Sequence, residues 1–217
     1  MYNFQYATTK QLSSSKKDII KIINSVQNEV RQYFTFQFYF VGSVERNMVT
    51  YDIKSNVGFD FDVDFHVNDN ECRFSAKEIR KKIRIALNKV APQYGYDNAE
   101  DNTRVLTIKV KDRKNSKIRY SCDFAIVNDY IDDNGNERQE YIRFNKRHGN
   151  YTWEEQPKGY YSLPEKEGWV KENGYWAEMR ELYLRKKNLN NNPDKHSRSI
   201  YAETIHEICQ EYEYFKL

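Results

Sequence analysis

Three aspartates alternate with apolar residues in the segment GFDFDVDFHV at 58–67. Strict alternation predicts a β-strand with two different faces, of which one carries Asp60, Asp62 and Asp64. Aspartate is a poor strand former, and neighbours on one face stand only about 7 Å apart. Crowded carboxylates repel one another unless a cation lies between them, and Mg²⁺ prefers carboxylate and phosphate oxygens. The segment therefore indicates a divalent-metal site, with a solvated sheet face as the alternative.

A second segment, KIRYSCDFAIVN at 117–128, shows the same asymmetry. One face of the predicted strand is bulky and apolar and needs a core behind it. The opposite face carries Asp123 among the small neighbours Ser121 and Ala125. An isolated aspartate in a strand is usually a surface residue, but beside the first strand it is a candidate third metal ligand. Two such strands side by side would place three carboxylates over one cleft.

Gly42 and Ser43 end the aromatic strand TFQFYFV, predicted at 35–41, ahead of the aspartate strand. Glycine allows a sharp turn, and exposed backbone N–H groups beside a hydroxyl can bind a phosphate oxygen. A Gly-Ser pair is most often an ordinary turn. Its position before the acidic strand is what makes it a candidate phosphate-binding element.

The remaining patterns predict the elements that would position these residues. Helices are predicted at 16–34 and 75–91, a further strand at 103–111, and a hairpin turn at Asn134-Gly135. The stretch 147–174 is interpreted as loop-rich, and two helices are predicted near 175–188 and 197–215. The order favours an α+β fold in which a mixed sheet has helices on one face and a mostly helical C-terminal region follows.

These residues together resemble the nucleotidyltransferase superfamily of the DNA polymerase beta type. Its pattern of a helix, a strand, Gly-Ser, an Asp-x-Asp strand and a later acidic strand is similar to FVGS at 40–43, FDFDVDF at 59–65 and SCDFAIV at 121–127. The resemblance covers roughly residues 15–130. It implies a nucleotidyltransferase catalytic core at 1–145, followed by a loop-rich and then helical region at 146–217.

The resemblance also implies site residues and cofactors. Asp60, Asp62 and Asp123 would hold two Mg²⁺ ions, or Mn²⁺ in their place, and Gly42 and Ser43 would bind the triphosphate. Sixteen residues, from 44 to 59, separate Ser43 from Asp60, which is longer than the usual gap and implies an insertion. Because three acids alternate, Asp62 with Asp64 is the alternative metal pair.

The implied activity transfers a nucleoside monophosphate from a nucleoside triphosphate, ATP among the candidates, to an acceptor hydroxyl with release of pyrophosphate. The acceptor is open: an RNA end, a protein hydroxyl, a small molecule or another nucleotide. Basic residues from Lys109 to Arg119 are either a solvated hairpin tip or a surface for a polyanionic acceptor. The alternatives are a non-catalytic nucleotide-binding or antitoxin-like module and a structural metal-binding protein.

Composition sets broad limits. The chain has 217 residues, 31% of them charged, and a formal net charge of +3, which argues neither for nor against nucleic acid. No apolar run reaches the roughly 18 residues of a membrane span, and MYNFQYATTK lacks the pattern of a signal peptide. Three widely spaced cysteines without a C-x-x-C motif fit a reduced cytoplasm. We therefore expect a cytoplasmic protein without a membrane partner.

Overall fold

The structure is a computed structural model that describes residues 2–52, 54, 58–69, 73–112, 117–192 and 194–214. The chain forms two compact units. The sheet unit consists of Tyr6–Tyr51 and Asn56–Gln156, and the helical unit consists of Met1–Gln5, Asp52–Ser55 and Pro157–Leu217. The chain therefore leaves the sheet unit for the last time between Gln156 and Pro157. The assignment of catalysis to residues 1–145 stays a prediction.

The sheet unit contains a mixed sheet of seven strands. They are β2 (Thr35–Val41), β4 (Phe59–Asn68), β5 (Glu100–Asp101), β6 (Val105–Asp112), β7 (Lys117–Ile131), β8 (Glu137–Asn145) and β9 (Asn150–Glu155). The main path runs β2-β4-β7-β6-β5, and β8 pairs with the far end of β7 and with β9. Strands β4 and β7 are parallel, and the other neighbours are antiparallel. Short strands β1 (Phe4–Tyr6) and β3 (Thr50–Asp52) pair in a separate sheet.

The apolar faces of β4 and β7 form the centre of the core. Phe61 and Phe65 of β4 and Phe124 of β7 are fully buried, and the rings of Phe65 and Phe124 lie 5.0 Å apart. Burying an aromatic side chain stabilises the fold by roughly 2–3 kcal/mol. Since side chains alternate across a strand, this burial forces the intervening aspartates onto the opposite face. The packing of the core thus decides where the acidic residues point.

Helices α1 (Thr9–Val30) and α3 (Ala76–Val90) cover the apolar face of the sheet. Both begin with a capping box, Thr8 with Gln11 and Ser75 with Glu78. Each presents one stripe of buried aliphatic residues: Ile19, Ile22, Ile23, Val26 and Val30 in α1, and Ile79, Ile83, Leu87 and Val90 in α3. The four-residue helix α2 (Gly42–Glu45) follows β2 directly, and a 3-10 turn (Ala91–Tyr94) follows α3.

Helices α4 (Lys158–Glu172), α5 (Trp176–Leu189) and α6 (Ser197–Glu211) form the helical unit. Met179, Ile205 and Ile208 are fully buried in it. The rings of Tyr175 and Tyr212 stack at 3.9 Å, and the Tyr201 hydroxyl donates to Glu167 at 2.6 Å. No helix in the described parts of the chain combines the length and apolar character that crossing a bilayer requires.

The structure confirms the α+β class, the mixed sheet and the helices on one face. The loop-rich interpretation of 147–174 is wrong, because all of β9 and all of α4 lie there. Helix α1 also begins seven residues earlier than predicted and ends at Val30 instead of 34. Arg113 and Lys114, two of the basic residues between Lys109 and Arg119, lie outside the described residues.

Candidate active site

Asp60, Asp62 and Asp123 form a tight acidic cluster, called here the carboxylate triad. One oxygen of each lies within 4.8 Å of an oxygen of the other two. Asp60 is exposed, whereas Asp62 and Asp123 are half-buried. Three converging oxygen donors are the ligand set that Mg²⁺ and Mn²⁺ prefer, so the residues fit a divalent cation. Among the residues that the structure describes, the triad is also the one cluster that could hold a metal ion.

The parallel pairing of β4 with β7 creates the triad. In this register Asp62 lies beside Asp123, and Asp60 lies beside Ser121. Neighbouring strands are about 4.8 Å apart, so register partners on one face stand close together. A register slip of one residue would send Asp123 into the core, where Cys122 and Phe124 are now fully buried. The apolar packing therefore fixes the geometry of the acids.

Mutual repulsion and burial perturb the triad in the metal-free protein. Burial, followed by the negative charges of Asp60, Asp123 and Asp64, raises the pKa of Asp62 to about 7, against the opposing charge of Arg46. A cation between the carboxylates would relieve this repulsion. The electrostatics therefore agree with the ligand chemistry.

Asp123 is perturbed in the same direction. Burial and the charge of Asp60 raise its pKa to about 6, while the hydrogen bond from Thr107 and the charge of Lys109 lower it. Thr107 on β6 donates to Oδ1 of Asp123 at 2.5 Å. Ser121 donates to Oδ1 of Asp60 at 2.6 Å. Asp60 and Asp123, the two outer acids of the triad, therefore each receive a hydroxyl hydrogen bond at one of their two oxygens.

Gly42 approaches the triad closely. Its φ is +66°, and a Cβ built at this position would lie 2.8 Å from Oδ2 of Asp62. The antiparallel register explains this approach, because Val41 lies opposite Asp62. Ser43 follows in α2 and is half-buried. Gly42 thus lies beside Asp62 at the end of β2, with Ser43 next in the chain, and triphosphate binding by these two residues stays a prediction.

Asp64 and His66 share the face of the triad but not its cluster. Asp64 is half-buried and lies beside Ala125 in the register. His66 contacts Asp129 through Nδ1 at 2.5 Å, as expected of a hydrogen-bonding neighbour. The cluster of Asp60 and Asp62 with Asp123 favours the first of the two predicted metal pairs. The assignment of the metal ligands itself stays a prediction.

Two of the basic residues near the β6–β7 turn form ion pairs. Lys109 contacts Glu100 at 2.6 Å, and Lys111 contacts Asp97 at 2.8 Å. At these two lysines the pairs favour a solvated hairpin over a surface for a polyanionic acceptor. Sequence analysis missed the roles of Thr107 and Arg46, since neither residue belongs to a local motif and both meet the acids through the tertiary fold.

Comparison with known proteins identifies the fold. The sequence matches no protein-family model and no curated protein. The structure is similar to Vibrio cholerae DncV cyclic AMP-GMP synthase, solved with nonhydrolyzable GTP, with a TM-score of 0.63 and 14% identity over 92% of this chain and 67% of that one. It is also similar to the Elizabethkingia meningoseptica CdnE cyclic dinucleotide synthase with GTP and Apcpp, with a TM-score of 0.52 and 12% identity over 88% and 67%.

A third similar structure is the STING-associated CdnE c-di-GMP synthase from Capnocytophaga granulosa, with a TM-score of 0.57 and 16% identity. The match covers 96% of this chain and 63% of that one. The chain thus spans about two-thirds of the length of these synthases. At this identity the similarity establishes the fold. The chain therefore has the nucleotidyltransferase fold of the cyclic dinucleotide synthases, as its resemblance to the polymerase-beta superfamily implied.

Proposed function

We propose that the protein is a metal-dependent nucleotidyltransferase that uses a nucleoside triphosphate and releases pyrophosphate. The observation that carries the proposal is the carboxylate triad, whose oxygens converge within 4.8 Å on one face of a sheet with this fold. Burial, together with the charges of the neighbouring acids, raises the pKa of Asp62 to about 7, which a purely structural surface would not require. Such clustered and perturbed acids are typical of a functional site.

The triad would bind two divalent ions, Mg²⁺ or Mn²⁺. When bound, these ions neutralise charge on the triphosphate and stabilise the pyrophosphate leaving group. Asp60 and Asp62 come from one strand and would hold the ions rigidly. Asp123 stands across from Asp62 with Oδ1 held by Thr107, which leaves Oδ2 for a ligand or a proton.

In the proposed reaction an acceptor hydroxyl oxygen attacks the α-phosphorus. The bond between that phosphorus and the oxygen bridging to the β-phosphate breaks, and pyrophosphate leaves. Asp123 would accept the hydroxyl proton, because it lies beside Asp62 in the triad and its Oδ1 is held by Thr107. Most of the acceleration comes from positioning and electrostatic stabilisation.

Among the candidate acceptors, we favour another nucleotide. The synthases with similar structures make cyclic dinucleotides, and the similarity extends over 88–96% of this chain. An RNA end, a protein hydroxyl and a small molecule remain the other acceptors. A non-catalytic nucleotide-binding module would keep the fold but release no pyrophosphate.

The test incubates the protein with each labelled triphosphate, singly and in pairs, with Mg²⁺ or Mn²⁺, and separates the products by chromatography. We expect a phosphatase-resistant dinucleotide product that disappears with a chelator. Asp133→Asn is the matched control, since Asp133 is an exposed acid in the β7–β8 hairpin of the same unit. Pyrophosphate release without a dinucleotide product would support nucleotidyl transfer but show that the acceptor is not a second nucleotide. No product with any triphosphate would favour the non-catalytic module.

A further inference from the structure

We propose that Asn102 and Thr107 form a positioning relay that fixes the orientation of Asp123. The proposal rests on the proposed function, because it assigns two further residues to the same site. Neither residue belongs to the motifs that identify the triad. The relay runs from an amide through a hydroxyl to a carboxylate, all within the sheet unit.

The direction of the hydrogen bonds in the relay follows from which groups can donate and which can accept. Asn102 donates through Nδ2 to Oγ1 of Thr107 at 2.9 Å, and Oγ1 of Thr107 lies 2.5 Å from Oδ1 of Asp123. An amide nitrogen can only donate, and a hydroxyl has one proton. Because Thr107 accepts from Asn102, its own proton is directed to Asp123. Thr107 is only 4% exposed, so water competes little for this proton.

Asn102 is itself held from the helix side of the sheet. Arg80 of α3 is 1% exposed and donates through Nη2 to the carbonyl oxygens of Asn102 and Val105. Its Nε donates to Asp101 at 2.8 Å and its Nη1 to the carbonyl oxygen of Ile142 at 2.9 Å. A planar guanidinium with this many fixed partners has one orientation. The β5–β6 turn that carries Asn102 is therefore fixed before any substrate binds.

The two outer acids of the triad differ in this respect. Asp60 is exposed and receives its hydroxyl hydrogen bond from Ser121, a neighbour on the adjacent strand. Asp123 receives its hydrogen bond from a buried hydroxyl that is backed by a second donor. A residue that hydrogen-bonds a metal-binding side chain orients that side chain. Its loss typically lowers metal affinity or activity about 10- to 100-fold. The relay thus acts through Asp123, on the acceptor side of the proposed reaction.

The test compares Thr107→Val, Thr107→Ser and Asn102→Asp in the full chain. Mn²⁺ binding followed by electron paramagnetic resonance gives a readout independent of turnover, and kcat and KM for the triphosphate are measured beside it. Thr152→Val is the matched control, because exposed Thr152 also donates to a carboxylate, that of Glu154, away from the triad. Thermal melting of each variant reports folding.

We expect Thr107→Val to weaken Mn²⁺ binding and lower kcat about tenfold or more, with KM for the triphosphate nearly unchanged. Thr107→Ser keeps the hydroxyl and should stay within about threefold of the wild type on the same scale. Wild-type Mn²⁺ binding in Thr107→Val would overturn the proposal. A Thr107→Ser variant as impaired as Thr107→Val would also overturn it, since the methyl group would then be the part that matters.

Asn102→Asp keeps the proposal testable if Thr107→Val does not fold. It preserves the shape of the side chain but replaces a donor with an acceptor, so it draws the Thr107 proton away from Asp123. Weaker Mn²⁺ binding supports the relay. An added negative charge acting by electrostatics alone would strengthen Mn²⁺ binding, and that result would contradict the relay. If no triphosphate is turned over but Mn²⁺ binding still depends on Thr107, the proposed function is contradicted and the relay is supported.

Discussion

Gly42 leaves room for Asp62: a Cβ at position 42 would lie 2.8 Å from Oδ2 of the carboxylate and 3.4 Å from its Cγ. Gly42→Ala would therefore displace Asp62 as well as strain a backbone with φ of +66°. We expect triphosphate affinity to fall about tenfold or more, equivalent to about 1.4 kcal/mol. Calorimetric titration with a nonhydrolysable triphosphate and Mg²⁺ measures this loss.

Gly149→Ala separates backbone strain from the contact with Asp62. Gly149 also has a φ of +66°, but no atom lies within 4 Å of a Cβ built there. The variant should lower the melting temperature to a degree similar to that of Gly42→Ala and leave triphosphate affinity unchanged. If both variants bind triphosphate like the wild type, Gly42 is an ordinary turn residue.

The metal-free protein should lose stability as the pH rises from about 4 to about 7. Folding raises the pKa of Asp62 to about 7, so the folded state binds more protons than the unfolded state across this window. The penalty is absent below the ordinary pKa of about 4 and complete above pH 7. We expect a lower melting temperature at pH 8 than at pH 5.5, measured with a chelator present.

Two comparisons isolate the contribution of Asp62 to this pH dependence. Asp62→Asn removes its charge and should flatten the profile between pH 5.5 and 8. Mg²⁺ should raise the melting temperature of the wild type at pH 8 by mass action, and much less so at pH 5.5, where protons compete for the carboxylates. An unchanged profile in Asp62→Asn would show that burial and the neighbouring acids do not raise the pKa of Asp62 as described.

The alternation of β4 and β7 was sufficient to predict the acid face, because each buried Phe or Val fixes the direction of its neighbours. The local sequence could not reveal β9 and α4. Gly159, Pro164 and Gly168 all lower helix propensity, yet α4 contains them, and Val170 is fully buried in the helical unit. Likewise α1 begins in the polar run before Ile19, where the Thr8–Gln11 capping box and not apolar periodicity defines its start.

The site was predictable to the extent that it lies in local patterns. Asp60, Asp62 and Asp123 lie on strands in which apolar and polar residues alternate, so their types and spacing are visible in the sequence. Thr107 is a single threonine in β6, and its hydrogen bond to Asp123 depends on the antiparallel register of β6 with β7. Long-range register of this kind is set by packing and leaves no short motif.

Substitution of the acids one at a time should separate their roles. We expect Asp123→Asn to keep most triphosphate binding and lose nearly all transfer, because Asp60 and Asp62 still hold the triphosphate-side ion. Asp62→Asn should lose both. Asp64→Asn should be mild, within a few-fold of the wild type, since Asp64 lies outside the triad. Binding by calorimetry and turnover by product formation measure the two properties separately.

The outcome for Asp64 decides between the two metal pairs. If Asp64→Asn proves as damaging as Asp62→Asn while Asp60→Asn is mild, the pair is Asp62 with Asp64. The geometry of the triad would then have to change on metal binding. Asp133→Asn again serves as the matched loss of a negative charge elsewhere in the sheet unit.

Pyrophosphate release is the most direct measure of metal-dependent nucleotidyl transfer, because transfer to any acceptor hydroxyl produces it. The wild type, Asp123→Asn and Asp133→Asn are each incubated with the four triphosphates, with Mg²⁺ or with a chelator, and pyrophosphate is quantified by an enzyme-coupled assay. We expect release by the wild type and Asp133→Asn with Mg²⁺, none with the chelator, and a loss of about a hundredfold or more in Asp123→Asn. Equal release by the wild type and Asp123→Asn, or release that persists without a divalent cation, would contradict the proposed function.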